Sequence, residues 1–344
     1  MAPAQPSPFI LALPKAELHV HLEGSVEPET LVELSRRHDH PEFTLHDAER
    51  LYRYQDFGAF LAAFKTVSEL VVDPEDYELI TYRLMERLHA ENVVHAEVYV
   101  SVGVALWYKR DFAPIFEALE RGRRRGERDF GVSVLWLFDA VRQFGPDRAR
   151  RVVDQAARYR ERNVVGIGLG GDERRAGPEL FRDVYAYAAD HGLHLTCHAG
   201  ETAGPESIWG ALNLKAERLG HALTAERDRE LMAALVERQV PLEICISSNL
   251  RTASCSRIED HPVKRYFDLG AMVTLNSDDP AMFGTSLGRE YQIAQEAFGF
   301  TDEQLREVAR NSFEASFLAP EKKLSYLDRL DALPPFAERP VRHS

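Results

Sequence analysis

Several short apolar runs in this 344-residue chain end on side chains that could bind a metal ion. The side chains are His19, His21, His198, His221, Asp278 and Asp279. Imidazole and carboxylate groups are the nitrogen and oxygen ligands that catalytic zinc takes. Residues two apart on a strand project from the same face, so His19 and His21 could bind one ion together. An HxH pair alone is weak evidence, but three further runs that end in the same way favour a metal centre.

A catalytic zinc takes three or more protein ligands and leaves a position for water. We expect one zinc ion per chain, held by His19, His21, His198 and Asp278. Zinc lowers the pKa of a bound water towards ~7, which makes a nucleophile available at neutral pH. Glu201 follows His198 by three residues in HAGE. We interpret it as a proton shuttle, although an acid at a helix N-terminus is the structural alternative.

Eight apolar or β-branched runs alternate with amphipathic helical stretches. In chain order the runs are Ala16–His21, Val93–Ser101, Val132–Ala140, Val164–Gly171, Leu193–His198, Arg218–His221, Pro241–Ser247 and Ala271–Asp279. Alternation of this kind implies parallel strands joined by crossover helices, and eight of them predict an α/β fold, a single (β/α)8 TIM-type barrel. Active sites of such barrels lie at the C-terminal ends of the strands, where the candidate ligands stand. His221 and Asp279 share that position and could hold the water and the substrate.

The connection Gly24–Asn92 is too long for one crossover helix, so we predict a helical insertion after the first strand. Phe57, Phe60 and Phe64 recur there at helical spacing. Packing of this aromatic stripe on the barrel is the favoured interpretation, and a lid over the site is the alternative.

The C-terminal part is predicted to contain a helical region, Asp302–Phe317, that closes the fold. Residues 318–344 are predicted to form a charged tail. We see no internal repeat and no linker composition, so residues 1–344 are predicted to be a single domain.

Composition excludes several classes of function. The formal net charge of −13 disfavours a nucleic-acid partner, which needs a basic surface. Three cysteines without a CxxC motif indicate neither a thiolate zinc site nor a disulfide framework. The apolar run Phe9–Leu13 is too short for a signal peptide, and no run approaches the ~20 residues of a membrane span. We therefore expect a cytoplasmic protein with no membrane partner; the sequence leaves its oligomeric state open.

Six segments together carry a resemblance to a known family. KAELHVHLEGSVEPE, GIGLGGDE, CHAGE, RLGHA, CISSN and TLNSDDP occur in this order between about residues 14 and 317. They resemble the adenosine deaminase family of the metal-dependent amidohydrolase superfamily. The resemblance implies hydrolytic removal of the 6-amino group of adenosine, or of an adenosine derivative, with release of ammonia. The expected partner is a small purine nucleoside.

The resemblance also implies roles for individual residues. The zinc ligands would be His19, His21, His198 and Asp278. Glu201 would protonate purine N1, His221 would orient the attacking water, and Asp279 would contact that water and purine N7. The backbone amide of Gly171 would face N3. The predicted substrate-binding residues are therefore His21, Glu23, Gly171 and Asp279.

Two departures from the family pattern concern the substrate. Glu23 stands where adenosine deaminases usually have an aspartate that meets the ribose 5′-hydroxyl. Gly168 and Gly170 replace the larger residues of the usual GxDLAGDE, which should free volume near the base and sugar. Both changes resemble relatives that act on adenosines enlarged at the 5′ side, such as 6-aminodeoxyfutalosine of a menaquinone pathway. Glu23 is also typical of adenine deaminases. Arg53 or Arg251 could pair with an anionic 5′ group, although a surface role is favoured for each.

Two alternatives outside the deaminases remain. Another mononuclear amidohydrolase would share the ligands. A dinuclear one would commonly need a carboxylated lysine on the fourth strand, and VVGIGLGG contains none. A non-catalytic barrel with a structural zinc would not need Glu201, His221 and Asp279.

Overall fold

The computed structural model describes residues 6–40 and 42–333. Eight parallel strands pair in chain order into a nearly closed barrel, which confirms the predicted fold class. The strands are β1 (Lys15–His21), β2 (Val93–Val100), β3 (Ser133–Val141), β4 (Val164–Gly170), β5 (His194–Ala199), β6 (Arg218–His221), β7 (Leu242–Ile244) and β8 (Val273–Leu275). β1 and β2 are buried along their whole length, as parallel strands covered on both faces are.

Helices surround the barrel and fill the insertion after β1. They are α1 (Pro8–Ala12), α2 (Pro28–Arg37), α3 (Leu45–Leu51), α4 (Phe57–Leu70), α5 (Pro74–Ala90), α6 (Val102–Trp107), α7 (Phe112–Phe130), α8 (Pro146–Tyr159), α9 (Arg182–Asp190), α10 (Pro205–Asn213), α11 (Arg229–Glu237), α12 (Ile246–Arg251), α13 (Val263–Asp268), α14 (Pro280–Phe283), α15 (Leu287–Phe298), α16 (Asp302–Ala315) and α17 (Pro320–Asp331). None of these described helices is both long and apolar enough to cross a bilayer.

The junction between β8 and β1 positions part of the site. Asn276 Oδ1, just after β8, accepts the amides of Leu18 and His19 at 2.9 and 3.1 Å. Asp278 then pairs with the backbone of β1: its amide donates to His19 O at 3.0 Å, and its carbonyl accepts from His21 N at 2.7 Å. The carboxylate after β8 is thereby fixed beside the two histidines that end β1.

The insertion between β1 and β2 consists of α2 to α5, as predicted. Phe60 on α4 is buried against Phe283 of α14, with ring centroids 5.0 Å apart. Phe57 and Phe64 are only partly buried and, with Phe60, line the main cavity. The stripe therefore both packs on the barrel and forms a wall of the pocket at its C-terminal end.

The segment after residue 317 differs from the predicted charged tail. Helix α17 buries Tyr326 and Leu330, and the Tyr326 ring stacks on Phe313 of α16 at 5.3 Å. These two apolar residues lie four apart, on one face of a helix whose other positions are mostly charged. That sparse apolar face was overlooked in the sequence. The remainder of the predicted tail, residues 334–344, lies outside the described residues.

Candidate active site

The predicted metal ligands converge at the C-terminal end of the barrel. His21 Nε2 lies 3.3 Å from Asp278 Oδ1 and 3.3 Å from His198 Nε2. His19 Nε2 lies 3.5 Å from the same carboxylate oxygen. His221 joins the cluster, with Nε2 3.9 Å from Asp278 Oδ2. All five side chains are buried.

The cluster has the features of a transition-metal site. Ligand atoms of His19, His198, His221 and Asp278 lie within 4.8 Å of one another. His19 Nε2 is buried and makes no hydrogen bond to any described residue, so a strong ligand atom faces the cluster without a partner. Imidazoles combined with a carboxylate suit such a metal. The donor set therefore fits a bound metal ion.

Two residues of the cluster have left-handed backbones. Asp278 has φ 64° and His221 has φ 65°. This region is unfavourable for residues with a Cβ and occurs often at functional sites, where surrounding contacts hold it. Here the pairing of Asp278 with β1 is such a contact. The strained backbone turns both side chains towards the other candidate metal ligands.

A buried chain of charged groups fixes His19. Glu243 on β7 accepts a hydrogen bond from His19 Nδ1 at 2.8 Å, which leaves Nε2 free to bind a metal. The other oxygen of Glu243 accepts from Arg218 Nε at 2.7 Å, and Arg218 Nη1 donates to Glu97 on β2 at 2.5 Å. Burial alone would lower the pKa of His19, but the hydrogen bond to Glu243 and the nearby Asp278 carboxylate outweigh burial and raise that pKa to about 10. A metal ion that binds Nε2 would therefore displace a proton.

His221 is held by a second polar chain. Asn249 Nδ2 donates to His221 Nδ1 at 3.1 Å, and Asn249 Oδ1 lies 3.1 Å from His261 Nε2. With Nδ1 acting as acceptor, a neutral His221 carries its proton on Nε2. That nitrogen faces Glu201 Oε2 at 3.7 Å.

Glu201 lies in a loop organised by Glu173. The Glu173 carboxylate accepts the amides of Gly200, Glu201 and Thr202 at 2.8, 2.8 and 2.9 Å. Burial, with the nearby carboxylates of Asp278 and Glu173, raises the pKa of Glu201 well above its usual value. The arrangement places a carboxyl group that favours its protonated form beside His221.

These residues open into a cavity of about 330 Å³. Its inner end is polar and contains His21, His198, Glu201, His221, Asp278 and Asp279. Its outer wall is mostly apolar and is formed by Phe57, Phe60, Leu61, Phe64, Val104, Trp107 and Phe144. Within this wall Trp107, which is 45% exposed, stacks on Phe144 with ring centroids 4.4 Å apart. A ligand could thus place a polar group at the candidate metal ligands and an apolar group against the outer wall of the cavity.

Of the two other predicted substrate-binding residues, the structure places Gly171 in the cavity and Glu23 behind its wall. Gly171 has φ 95° and lines the cavity, and a Cβ there would lie 2.2 Å from Gln143 Oε1. Glu23 is buried, accepts the amide of Ser101 at 3.2 and 3.3 Å, and is not among the described residues that line the cavity. Burial raises the pKa of Glu23 to about 7.

The arginines considered for an anionic 5′ group lie elsewhere. Arg251 donates to Tyr52 O at 2.7 Å, and neither it nor Arg53 is among the described residues lining the cavity. The cavity mouth instead contains Lys65 on α4, whose Nζ pairs with Glu69 at 2.5 Å.

The volume expected from Gly168 and Gly170 is filled by a side chain from the neighbouring strand. A Cβ on Gly168 would lie 2.7 Å from Asp139 Oδ1, and one on Gly170 would lie 2.9 Å from Asp139 Oδ2. Asp139 on β3 is buried and lines the cavity. The two glycines accommodate this carboxyl group, so the expectation that they free space for the ligand was wrong.

Sequence reasoning did not assign roles to Asp139, Glu243, Arg218, Glu173 or Asn249. Glu243 and Asp139 had a usable signal, since each is a lone acid within an otherwise apolar run, PLEICIS and VSVLWLFDA respectively. A charged residue on a buried strand needs a partner or a ligand.

Comparison with known proteins agrees with the site. The family model described as adenosine deaminase matches residues 14–333. The chain is 37% identical over 329 residues to an aminodeoxyfutalosine deaminase of Streptomyces coelicolor, covering 94% of this chain and 85% of the relative. It is 34% identical over 326 residues to an adenine deaminase of Hahella chejuensis, covering 94% and 97%.

A solved structure of similar shape contains a metal. The zinc-bound amidohydrolase from Burkholderia ambifaria has a TM-score of 0.88 and 26% identity, with 96% of this chain and 95% of that chain covered. The described barrel, the converging ligands and the match over most of the length lead to one assignment. The chain belongs to the adenosine deaminase family of metal-dependent amidohydrolases and is a hydrolytic deaminase of adenosine-type substrates, acting on a C–N bond of a cyclic amidine.

Proposed function

We propose that this chain is a zinc-dependent deaminase whose preferred substrate is an adenosine extended at the 5′ position. The observation that carries the substrate proposal is the apolar outer wall of the cavity, which continues beyond the polar cluster. The observation that supports zinc is the convergence of imidazole nitrogens on Asp278: His19, His198 and His221 share one set of close ligand atoms with it, and His21 Nε2 lies 3.3 Å from its carboxylate.

A bound zinc ion would supply an activated water at neutral pH. His19, His21, His198 and Asp278 would hold the ion. His221, with its proton on Nε2, would orient the attacking water towards purine C6. Asp279 would hold the same water and meet purine N7.

Glu201 would complete the reaction by giving a proton to purine N1. Protonation at N1 makes C6 more electrophilic, because the ring then accepts the electron pair displaced by attack. The water would supply two protons: one restores the Glu201 carboxyl, and the other reaches the leaving amino group, which departs as ammonia. Glu201, once it has given its proton to N1, would be the acceptor for the water proton, since His221 Nε2 already carries a proton. Only 6% of Glu201 is exposed, so few solvent molecules can reach the carboxyl group and compete with the substrate for its proton.

The position of the sugar follows from the same contacts. With C6 at the predicted metal ligands and N7 at Asp279, the N3 edge would face Gly171, which lines the cavity and has no side chain to obstruct it. N3 and N9 are both bonded to C4, so the sugar on N9 would lie next to the N3 edge, on the β3 side, with its 5′ carbon towards the mouth. There Phe57, Phe64 and Trp107 offer apolar surface for a further group.

Steady-state rates on adenine, adenosine, 5′-methylthioadenosine and 5′-aryl adenosines test the proposal. We expect adenosine to be accepted and a 5′-extended adenosine to have equal or higher kcat/KM. A site built around a bare 5′-hydroxyl would reject its replacement strongly, because a buried polar group would lose its partner. A hundredfold preference for adenosine over every 5′-substituted analogue would contradict the 5′ extension.

Adenine deamination is the second candidate. Glu23, usual in adenine deaminases, and the similarity to the Hahella chejuensis enzyme favour it. Free adenine would leave the apolar outer wall without contact. Higher kcat/KM on adenine than on every nucleoside in the same panel would select this candidate.

A further inference from the structure

Asp139 is a buried carboxyl group on the cavity wall that the proposed reaction does not use. It lies near the C-terminal end of β3 with 6% of its surface exposed. Its Oδ1 makes no hydrogen bond to any described residue. Buried polar atoms without partners are unfavourable and occur where a ligand completes the hydrogen bonds.

The surrounding backbone is shaped to admit this side chain. A methyl group on Gly168 or Gly170 would lie under 3.0 Å from a carboxylate oxygen of Asp139, so the Asp139 side chain could not keep this position. Gly168 is further constrained by Tyr99, whose ring carbon would be 2.5 Å from the same Cβ. The residues at positions 139, 168 and 170 on two neighbouring strands therefore depend on one another, which indicates that the pocket is shaped around the Asp139 carboxyl group.

The other carboxylates of the cavity already have assignments. Among the described lining residues they are Glu201, Asp278 and Asp279, which serve N1, the metal and N7 in the proposed reaction. Glu23, the predicted sugar contact, is bonded to Ser101 behind the wall. Asp139 is therefore the carboxyl group left for the sugar.

Its location matches the expected place of the ribose. Gly170, against which Asp139 Oδ2 lies, precedes Gly171, where the N3 edge is expected. Gln143 lies two residues after the end of β3, and its buried Oε1, which has no hydrogen-bond partner among the described residues, is beside Gly171. Two acceptors without partners thus lie where the N3 and N9 side of the base is expected, and ribose hydroxyls are donors. A carboxyl group offers an acceptor oxygen whether neutral or ionised.

We propose that Asp139, with Gln143 beside it, accepts hydrogen bonds from the 2′,3′-diol of the ribose and so selects nucleosides over free adenine. The inference rests on the proposed function. It adds a sugar-recognition residue on β3.

The test compares kcat/KM for adenosine, 2′-deoxyadenosine, 3′-deoxyadenosine and adenine in three proteins. They are the wild type, Asp139→Asn, which keeps the side-chain volume, and the matched control Asp172→Asn. Asp172 adjoins Gly171, but its Oδ1 accepts the Arg174 amide. We expect the wild type to prefer adenosine over at least one deoxy analogue by ~10-fold or more, since losing a hydroxyl strands a buried acceptor. Asp139→Asn keeps one acceptor oxygen and replaces the other by an NH2 donor, so it should lose the preference for one of the two hydroxyls by slowing adenosine. Asp172→Asn should retain the wild-type preferences.

Other outcomes overturn the inference. If Asp139→Asn slows every substrate equally, or loses bound metal, Asp139 supports the nearby His198 instead of the sugar. If the wild type treats both deoxy analogues like adenosine, the diol has no acceptor here; this comparison needs no variant and holds even if Asp139→Asn fails to fold. Deamination of adenine alone would refute the proposed nucleoside function itself. Deamination of adenosine without coupling to residue 139 would refute only the sugar contact.

Discussion

Replacing Glu243 by glutamine changes the support of a metal ligand without touching the cavity. Glu243 accepts from His19 Nδ1 at 2.8 Å and from Arg218 Nε at 2.7 Å, and all three side chains are buried. An amide has one accepting oxygen and one donating nitrogen. If the oxygen faces His19, two donors meet at Arg218. If the nitrogen faces His19, Nδ1 must accept, and Nε2 then carries a proton and cannot bind metal.

Either orientation of the glutamine weakens the site. A hydrogen bond to a charged group contributes about 1.5–3 kcal/mol, which corresponds to roughly a 10- to 100-fold change in an equilibrium constant. Losses of similar size follow removal of groups that orient metal-binding histidines. We therefore expect metal affinity, measured by competition with a chelator, to fall ~10- to 100-fold in Glu243→Gln.

A matched control separates this effect from general destabilisation. Glu290 is also a buried glutamate, but it accepts from Ser247 N at 3.1 Å and from the Thr285 hydroxyl at 2.6 Å. Glu290→Gln should lower the melting temperature and leave metal affinity unchanged. Equal metal affinity in the wild type and Glu243→Gln would refute the argument that Glu243 sets the tautomer of His19.

Three further outcomes are expected. Elemental analysis should find about one zinc per chain, and His19→Ala or Asp278→Ala should lose metal and activity together; two metals per chain, or full activity after chelation, would contradict the ligand assignment. Glu201→Gln should keep metal and bind a substrate analogue while kcat falls at least ~10²-fold, and a near-wild-type rate in the folded, metal-loaded variant would leave Glu201 a structural role only. Phe64→Ala and Trp107→Ala should each lower kcat/KM for a 5′-aryl adenosine ~10-fold and change adenine turnover little, because only the aryl group would contact these partly exposed rings and a tenfold change needs about 1.4 kcal/mol; equal losses on both substrates would place the 5′ group elsewhere.

The strand ends could be found from sequence because they are local features. His19 and His21 share a face by the two-residue period of a strand, and His198 and Asp278 follow apolar runs. Barrel topology then brings such ends together whatever the distance along the chain. The helix at Pro320–Asp331 was missed because only two apolar residues mark its buried face.

Contacts between strands could not be derived in the same way. The side chain of Glu23 turns to the amide of Ser101, which follows β2 about eighty residues later, so its distance from the cavity depends on that pairing. Gly168 and Gly170 indicated missing volume, but the residue that fills it, Asp139, belongs to another strand. Such relations depend on register between strands, which a single sequence does not specify.

The left-handed backbones of His221 and Asp278 lower the thermal stability of this enzyme in favour of its activity. Each residue holds a φ near 65°, a conformation that costs roughly 1–2 kcal/mol for a residue with a Cβ and little for glycine. Glycine at either position would therefore relax the backbone while removing one side chain of the candidate metal site. At position 221 this gain is offset by the lost hydrogen bond from Asn249, so we expect glycine to raise the melting temperature only at position 278 and only in the metal-free protein, which is inactive.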